Sequence, residues 1–446
     1  MRQFFRTLLY YLIVAVPMVL FNAYAYHLTT VYGFTEWTFV SYLKAFWLVS
    51  ILFVVANAIG LVLYGHPDNA NERTLRQYRK EGWDKSKKLI VSYVSYGKNA
   101  EALNLSLMET KALLDEYEVN YELEVVTDLD IEVQVSDVYW YKVPEEYETR
   151  WSTKFKARAL HWALKCRILS GRNVRNAWVL HLDEESRLTA SCIAGIHKAT
   201  KREGPFIGQG EIKYNSVGYF SRPFIAIVDS IRTGDDLGRF RFQYKALKVP
   251  LFGLHGSFVL VPHELEEALG FDVGSKGSLT EDTCFAFKAA DCGVPFVWVD
   301  GYIREQSPFT LLDLLKQRRR WFTGLGLLIR DPTISLWRRA FLALVVFSWS
   351  ASWTSVFVTL ATLILDTAIL PLSMHYAASS IAGLFISLYG LGAFRNVVDL
   401  DMHPLRKAAI VVGTMIMVPI ASVTESIAVL YALLNPLSTE FEVVKK

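Results

Sequence analysis

Long uncharged apolar runs stand at both ends of this 446-residue chain, and they constrain its fold more than any other feature. Residues 8–26 and 45–64 each approach the ~20 residues that an α-helix needs to cross the hydrocarbon core. Similar runs return after Arg338 and Arg339, where three more spans are the simplest count. The sequence therefore predicts two transmembrane helices in residues 1–68, about three more in residues 338–434, and a short tail in residues 435–446.

Two of these runs admit a second interpretation. Arg2 and Arg6 precede the first run, which contains the small-residue pattern of a signal-peptide cleavage site at residues 23–25. The length of the run and the second span close behind it favour a retained helix. Pro419 and Glu425 interrupt the last run, which is therefore either a kinked helix or a re-entrant pair.

The middle of the chain, residues 80–325, contains no run long enough to span and has the charge density of a soluble domain. Lys and Arg residues gather beside the spans, so the positive-inside rule predicts that this domain faces the cytoplasm. The chain is 52% hydrophobic and 20% charged with a net charge of +3, and its basic residues form no stripe. Nucleic-acid binding therefore has no support. The four cysteines form no CxxC pair, which is typical of thiols in a reducing compartment.

An alternation of strand and helix patterns opens this middle domain. Residues 89–95 are rich in β-branched and aromatic side chains, 104–117 have helical spacing, and 121–127 alternate as a half-buried strand does. Further strand patterns recur at 178–182 and 295–299. The succession predicts an α/β fold with a mostly parallel sheet covered by helices, held between transmembrane α-helices.

Three acids follow the strand pattern at residues 178–182. Carboxylates at the C-terminal end of a parallel strand point into the crevice where α/β proteins bind ligands. Asp183 and Glu185 are close enough in sequence to reach one hard cation, and Mg²⁺ or Mn²⁺ held there would neutralise a diphosphate. An isolated motif of this kind is equally well explained as the acidic N-terminus of a helix.

A second acidic pair, Glu281 and Asp282, stands between Thr280 and an apolar helical pattern. Transfer of a sugar with inversion needs a base that takes the proton of the acceptor hydroxyl, and Asp282 is the candidate. Considered alone, a Thr cap followed by acids in the first helical turn is a common way to begin a helix.

A third element, the run Gln317-Arg318-Arg319-Arg320-Trp321, belongs to an amphipathic segment at about residues 309–325. That segment predicts a helix in the membrane interface. One arginine of the run, Arg320, is suited to pair with a departing diphosphate, and Trp321 offers a flat face to a sugar ring. The alternative is a positive-inside anchor with an interfacial Trp.

The order of these elements is more specific than any one of them. Asp128 ends an earlier strand pattern, and Asp183, Asp282 and the Gln-x-x-Arg-Trp run follow between the two membrane segments. Together they resemble glycosyltransferase family 2, the inverting group that includes cellulose, chitin and hyaluronan synthases. The chain resembles the Egghead-type β-1,4-mannosyltransferases of animals still more closely, in segments 124–128, 155–160, 181–185, 208–210, 251–257 and 307–313.

The resemblance implies a GT-A (Rossmann-like) domain, GDP-mannose as the favoured donor with a UDP-sugar as the alternative, and a lipid-linked or glycan acceptor. It implies that Asp282 is the general base and that Asp183 and Glu185 hold Mg²⁺ or Mn²⁺. The residues implied to contact the donor are Val94, Ser95, Asp128, Lys156, Arg158, Asp183 and Arg320. The residues implied to contact the acceptor are Gly256, Ser257, Glu281, Gln317 and Trp321.

Three further features bear on the resemblance: the metal motif, an acidic pair and a histidine. The metal motif reads Asp-Glu-Glu where many members have Asp-x-Asp, and Glu185 is a sufficient ligand. Asp235 and Asp236 also resemble the Egghead group, but the residues around them are typical of a polar turn. His255 stands beside a glycine, where a histidine is more often structural than a ligand contact.

Three functions remain open at the level of sequence. The first is a single addition of a sugar, mannose by resemblance, to a lipid-linked acceptor at the membrane. The second is a processive synthase that uses a UDP-sugar and secretes the polymer through its own helices. Trp349, Trp353 and His375 leave room for such a channel, but about five helices make a small bundle for a pore. The third is a scaffold or lipid binder on an inactive transferase fold, and the intact acids argue against it.

Overall fold

The computed structural model describes residues 2–216, 219–351, 353–354, 364 and 370–435. Within these residues seven strands form one sheet: β1 (Lys88–Ser95), β2 (Tyr121–Thr127), β3 (Val138–Lys142), β4 (Ala177–Asp183), β5 (Ile207–Lys213), β6 (Val259–Pro262) and β7 (Phe296–Arg304). The helices before β7 are α1 (Arg2–Tyr32), α2 (Phe39–Trp47), α3 (Ile51–Tyr64), α4 (Asp68–Glu81), α5 (Ala100–Glu116), α6 (Phe155–Leu169), α7 (Ala190–Thr200), α8 (Pro223–Asp235), α9 (His263–Leu269), α10 (Gly274–Gly277) and α11 (Glu281–Asp291). The helices after it are α12 (Leu311–Ile329), α13 (Leu336–Ser350), α14 (Leu372–Val398), α15 (Pro404–Ile416) and α16 (Val418–Leu434).

The sheet has the strand order β3-β2-β1-β4-β6-β5-β7, as in a GT-A-like α/β fold. Strands β1, β2, β3 and β4 run parallel, and β5 runs parallel to β7. The short strand β6 is antiparallel to both of its neighbours, β4 and β5. The predicted mostly parallel sheet is therefore confirmed, with one reversed strand that the sequence pattern did not indicate.

Both faces of the sheet are buried, which explains why its strands read as nearly continuous apolar runs. In β1, Leu89, Val91 and Tyr93 pack into one hydrophobic core, whereas Ile90 and Val94 pack into the other. Successive strand residues point to opposite faces, so one strand contributes side chains to both cores. Because β1, β2 and β4 run parallel, their carboxyl ends meet at one edge of the sheet, where the predicted site residues lie.

The apolar ends of the chain form helices of membrane-spanning length. In the described residues three stretches qualify by length and composition, Gln3–Tyr32, Phe39–Tyr64 and Leu372–Val398. Helices α15 and α16 qualify together but are bent by 54°, so the predicted kinked or re-entrant pair is confirmed. The span predicted after Arg338 begins as α13, and most of the rest of it lies outside the described residues.

Helix α12 occupies most of the segment for which an interfacial helix is predicted. Thr310 caps it, because its side-chain oxygen accepts a hydrogen bond from the backbone N–H of Asp313 at 3.1 Å. Leu311 and Leu312 at its start are exposed, while Leu314 is fully buried. The helix thus turns one apolar patch outward and buries its other face against the rest of the chain.

Candidate active site

Three carboxylates converge at the edge of the sheet where β4 and β7 end. Asp183 is the last residue of β4, Glu185 follows it, and Glu305 comes directly after β7. Oxygen atoms of all three lie within 4.8 Å of one another, an arrangement able to hold a metal ion. Carboxylate oxygens are the ligands that Mg²⁺ and Mn²⁺ prefer, so these residues fit the predicted cation. The alternative of an acidic helix start is wrong, because the next helix begins only at Ala190.

Glu305 is a functional candidate that the sequence analysis missed. Its side chain is 2% exposed, and its Oε1 accepts a hydrogen bond from Ser186 Oγ at 3.1 Å. The Oγ atoms of Ser186 and Ser257 are 2.9 Å apart, and the backbone N–H of Asp183 donates to Ser257 Oγ at 3.3 Å. The available signal was the position of Glu305, an acid that follows a buried strand as Asp183 does.

Lys156 links this acidic cluster to the second acidic pair, Glu281 and Asp282. Its Nζ donates to Asp183 and, at 2.6 Å, to the carbonyl oxygen of Gly256, and it lies 3.8 Å from Glu281. Burial lowers the pKa of Lys156, but the charges of Asp183 and Glu281 outweigh this and raise it. The lysine therefore stays cationic where a diphosphate would need positive charge.

Glu281 and Asp282 begin helix α11 and face the same cavity as Lys156. Burial raises the pKa of both carboxyls; the charge of Asp282 adds to the effect on Glu281, whose pKa reaches about 7. The backbone N–H of Thr283 donates to Asp282 Oδ1 at 2.6 Å and fixes that carboxylate. Both acids stand in the first turn of α11, as the structural interpretation expects, but Thr280 makes no capping hydrogen bond.

Gly256 leaves the space in which these groups meet. A Cβ atom at this position would lie 3.1 Å from Asp282 Oδ2, 3.2 Å from Lys156 Nζ and 3.5 Å from Glu281 Oε1. Contacts of 3.1 and 3.2 Å are tight enough that the carboxylate and the ammonium group would have to move. A side chain larger than glycine therefore disturbs the predicted base directly.

We expect Gly256→Ala to lower kcat by roughly tenfold, since its Cβ would shift two groups of the site by a few tenths of an ångström and a shift of about 1 Å costs about 100-fold. The thermal unfolding midpoint should change little. Gly326→Ala is the matched control, because a Cβ atom there meets nothing within 4 Å. Steady-state kinetics of the two variants check the prediction, and equal activities would contradict it.

The predicted donor residues lie at the ends of β1, β2 and α6. Arg158 Nη2 donates to Asp128 Oδ1 at 2.5 Å, and Ser95 Oγ donates to Glu184. Val94 is paired with Asp183 across the β1–β4 ladder, which places the strand end beside the acidic cluster. All of these residues line one cavity of about 1640 Å³.

The Gln-x-x-Arg-Trp run enters the same cavity from helix α12. Gln317, Arg320 and Trp321 line it, and the charge of Arg320 acts against the raised pKa values of Glu281 and Asp282. The Trp321 ring is flanked by two guanidinium groups, those of Arg318 at 4.6 Å and Arg232 at 4.8 Å.

Arg318, which carries no predicted role, ties the run to the rest of the chain. It is 3% exposed and donates to Asp229 Oδ1 in α8 and to Glu425 Oε1 in α16, both at 2.8 Å. A buried guanidinium needs partners of this kind. A simple positive-inside anchor therefore does not describe this arginine.

The cavity continues from the acids into the membrane-type helices. Beyond Trp321 its walls include Trp47, Phe53, Trp349 and Phe385. The rings of Phe53 and Phe385 stack at 5.4 Å, so this end is aromatic and apolar. One continuous space therefore offers carboxylates and cations at one end and an apolar wall at the other.

The expectation of a polar turn at Asp235 and Asp236 is wrong. Both side chains are buried where α8 continues into a π-helical turn. Arg239 pairs with Asp235, while Asp236 accepts a hydrogen bond from the backbone N–H of Ile212 at 2.9 Å and lies 2.6 Å from His255 Nε2. A short-range turn pattern cannot reveal partners this distant in sequence.

Comparison with known proteins identifies the family of the chain. Residues 178–390 match the family described as glycosyl transferase family group 2. The Drosophila melanogaster protein β-1,4-mannosyltransferase egh is 34% identical over 339 residues, covering 73% of this chain and 71% of that protein. This chain belongs to the Egghead group of glycosyltransferase family 2. The Caenorhabditis elegans member of the Egghead group, β-1,4-mannosyltransferase bre-3, is 33% identical over 332 residues, again 73% and 71% of the two chains.

The Egghead-group chain is therefore a glycosyltransferase. Among solved structures it is similar to a mannosyltransferase from Pyrobaculum calidifontis in complex with GDP-Man and Mn²⁺. That similarity has 15% identity and a TM-score of 0.43, and it covers 88% of this chain and 99% of the other. The assignment rests on the animal relatives, which share far more of their sequence with this Egghead-group member.

Proposed function

We propose that the enzyme transfers mannose from GDP-mannose, in β-linkage and with inversion, to a hydroxyl of a membrane glycolipid or glycan. The observation that carries the proposal is the single cavity that joins the acidic site to an apolar end between the membrane-type helices. An acceptor with a sugar head and a lipid tail matches both ends of this space. The names of the two animal relatives supply mannose as the sugar.

The donor would lie across the ends of β1 and β4. We assign its nucleotide to the pocket at Val94, Ser95, Asp128 and Arg158, which is bounded by the Asp128–Arg158 ion pair. A bound Mg²⁺ or Mn²⁺ ion would supply positive charge to the diphosphate, held by Asp183, Glu185 and Glu305. Lys156 and Arg320 add cationic charge from the protein itself.

In the reaction the acceptor oxygen forms a bond to C1 of the sugar while the bond from C1 to the diphosphate oxygen breaks. Asp282 takes the proton of the acceptor hydroxyl, and the nucleoside diphosphate leaves on the opposite face. Glu281, Gly256, Ser257, Gln317 and Trp321 bound the acceptor side, where the indole gives a flat surface to a sugar ring. The fixed position of the carboxylate favours attack by one hydroxyl only.

The orientation in the membrane is part of the proposal. Basic residues beside the spans support, by the positive-inside rule, a catalytic domain at residues 80–325 that faces the cytoplasm. The exposed leucines at the start of α12 then face the membrane interface. A lipid-linked acceptor could thus present its head group to Asp282 while its tail stays among apolar side chains.

The direct test is incubation of purified protein with labelled GDP-mannose, and separately with UDP-sugars, in the presence of Mn²⁺ or Mg²⁺. The acceptors are alkyl glycosides with different head sugars, and the products are sized. Products one mannose larger than the acceptor are expected. Long chains from a UDP-sugar would instead identify a processive synthase, and no turnover with any donor would contradict a transferase function.

The acidic pair predicts a pH dependence. Burial raises the pKa of Asp282, and burial together with the charge of Asp282 raises that of Glu281 to about 7. A base works only when ionised, so kcat/KM should rise with pH through a midpoint above the usual range of an aspartate and then level off. A profile that is flat between pH 4.5 and 8.5 would refute the assignment.

A further inference from the structure

His255 projects into the catalytic cavity from a tightly held loop between α8 and β6, and no role has been assigned to it so far. Its backbone is fixed by one buried side chain: the N–H of His255 donates to Gln209 Oε1, and Gln209 Nε2 donates to the carbonyl oxygen of His255, each at 3.3 Å. Tyr244 Oη donates to the same Gln209 Oε1 at 3.2 Å. These contacts join two segments that resemble the Egghead group, 208–210 and 251–257.

The imidazole ring is fixed as firmly as the backbone. Its face stacks on Phe240 with ring centroids 4.3 Å apart, and its Nε2 lies 2.6 Å from Asp236 Oδ1. The other oxygen of Asp236 accepts the backbone N–H of Ile212. We take Nε2 as the donor to Asp236, because this tautomer of the neutral ring leaves Nδ1 as a hydrogen-bond acceptor.

The second ring nitrogen of His255, Nδ1, is available to accept a hydrogen bond from a ligand. Among the described residues, Nδ1 of His255 has no hydrogen-bond partner, and 20% of the side chain is exposed. The next residue is Gly256, where a Cβ atom would lie 3.1 Å from Asp282 Oδ2. The imidazole therefore lies on the side of the cavity where the acceptor hydroxyl must meet the base.

We propose that His255 is a specificity-determining residue for the acceptor: Nδ1 accepts a hydrogen bond from a hydroxyl of the acceptor sugar, while Asp236 holds the ring in place. The inference rests on the proposed function, because it takes a sugar acceptor as given. The hydrogen bond to His255 would hold the acceptor sugar at a second point, in addition to its contact with Trp321. One hydroxyl is deprotonated by Asp282 while another is held by His255.

The test is a double-mutant cycle between His255 and the acceptor. The acceptor is the alkyl glycoside that the wild-type enzyme uses best, together with its monodeoxy analogues. His255→Gln keeps a polar group near the Nε2 position but none at Nδ1, and it should raise the acceptor KM about tenfold, the size expected for one lost hydrogen bond. His255→Asn places its amide near Nδ1 and should recover part of the loss.

One deoxy analogue should lose about tenfold with the wild type and nothing further with His255→Gln, since the contact is already absent. The affinity for GDP in the presence of Mn²⁺ should not change, and His403→Gln, at an exposed histidine outside the cavity, is the matched control. Additive losses for every analogue, or an equal loss of GDP affinity, would overturn the contact. A wild-type enzyme that transfers to no glycoside would overturn the proposed function as well.

Discussion

Asp282→Asn is expected to lower kcat by roughly 10²- to 10⁴-fold while leaving the affinity for the donor nearly unchanged. The amide keeps the shape of the side chain and can still accept the hydrogen bond that Thr283 N–H donates at 2.6 Å. It cannot take a proton from the acceptor hydroxyl at neutral pH. Single-turnover transfer and donor titration, measured on the same preparation, separate the two effects.

Two further variants sharpen this result. Asp401→Asn makes the same chemical change at an exposed site and should behave as wild type. Glu281→Gln tests the neighbouring carboxyl, whose raised pKa makes it the competing base. Near-normal turnover of Asp282→Asn together with an inactive Glu281→Gln enzyme would move the catalytic role to Glu281.

Asp183→Ala is expected to weaken metal-dependent donor binding by about 100-fold or more, because a hard cation loses one of its charged oxygen ligands. Glu305→Gln should have a similar effect, since its oxygens belong to the same cluster. Chelation of divalent ions with EDTA should reduce the wild type to the level of these variants. Calorimetric titration of GDP in the presence and absence of Mn²⁺ measures all three.

The control for the metal cluster is Glu267→Gln, a charge removal at an exposed acid in α9. It should leave the Mn²⁺ dependence intact. If Glu305→Gln also binds GDP and Mn²⁺ normally, the ion is held by Asp183 and Glu185 without the third acid. If Asp183→Ala binds them normally, the assignment of the metal site is wrong.

The sequence reveals those parts of the molecule that short-range patterns control. Strands β1, β2 and β4 are predicted to within a residue or two, because buried β-branched runs leave little alternative. The acids at Asp183 and Asp282 follow from their position at the end of a strand and the start of a helix. The ordered set of motifs then identifies the family.

What the sequence does not reveal depends on contacts between distant segments. The reversed strand β6 is only four residues long and is held by its neighbours β4 and β5. The sequence shows that Glu305 follows a strand pattern, but only the pairing of β7 with β5 brings it to Asp183 and Glu185. Asp236 read as part of a turn because its partners, Ile212 and His255, lie 24 and 19 positions away.

The tie from Arg318 to Asp229 and Glu425 bears on how this enzyme should be produced for study. A fragment that stops before α16 would lack Glu425, so a charged side chain buried in the intact chain would lose one of its two acidic partners. It would also lack the wall that α16 gives to the cavity. Attempts to obtain a water-soluble catalytic piece should therefore yield an unstable and inactive protein, and detergent or nanodisc preparations of the whole chain are the appropriate material.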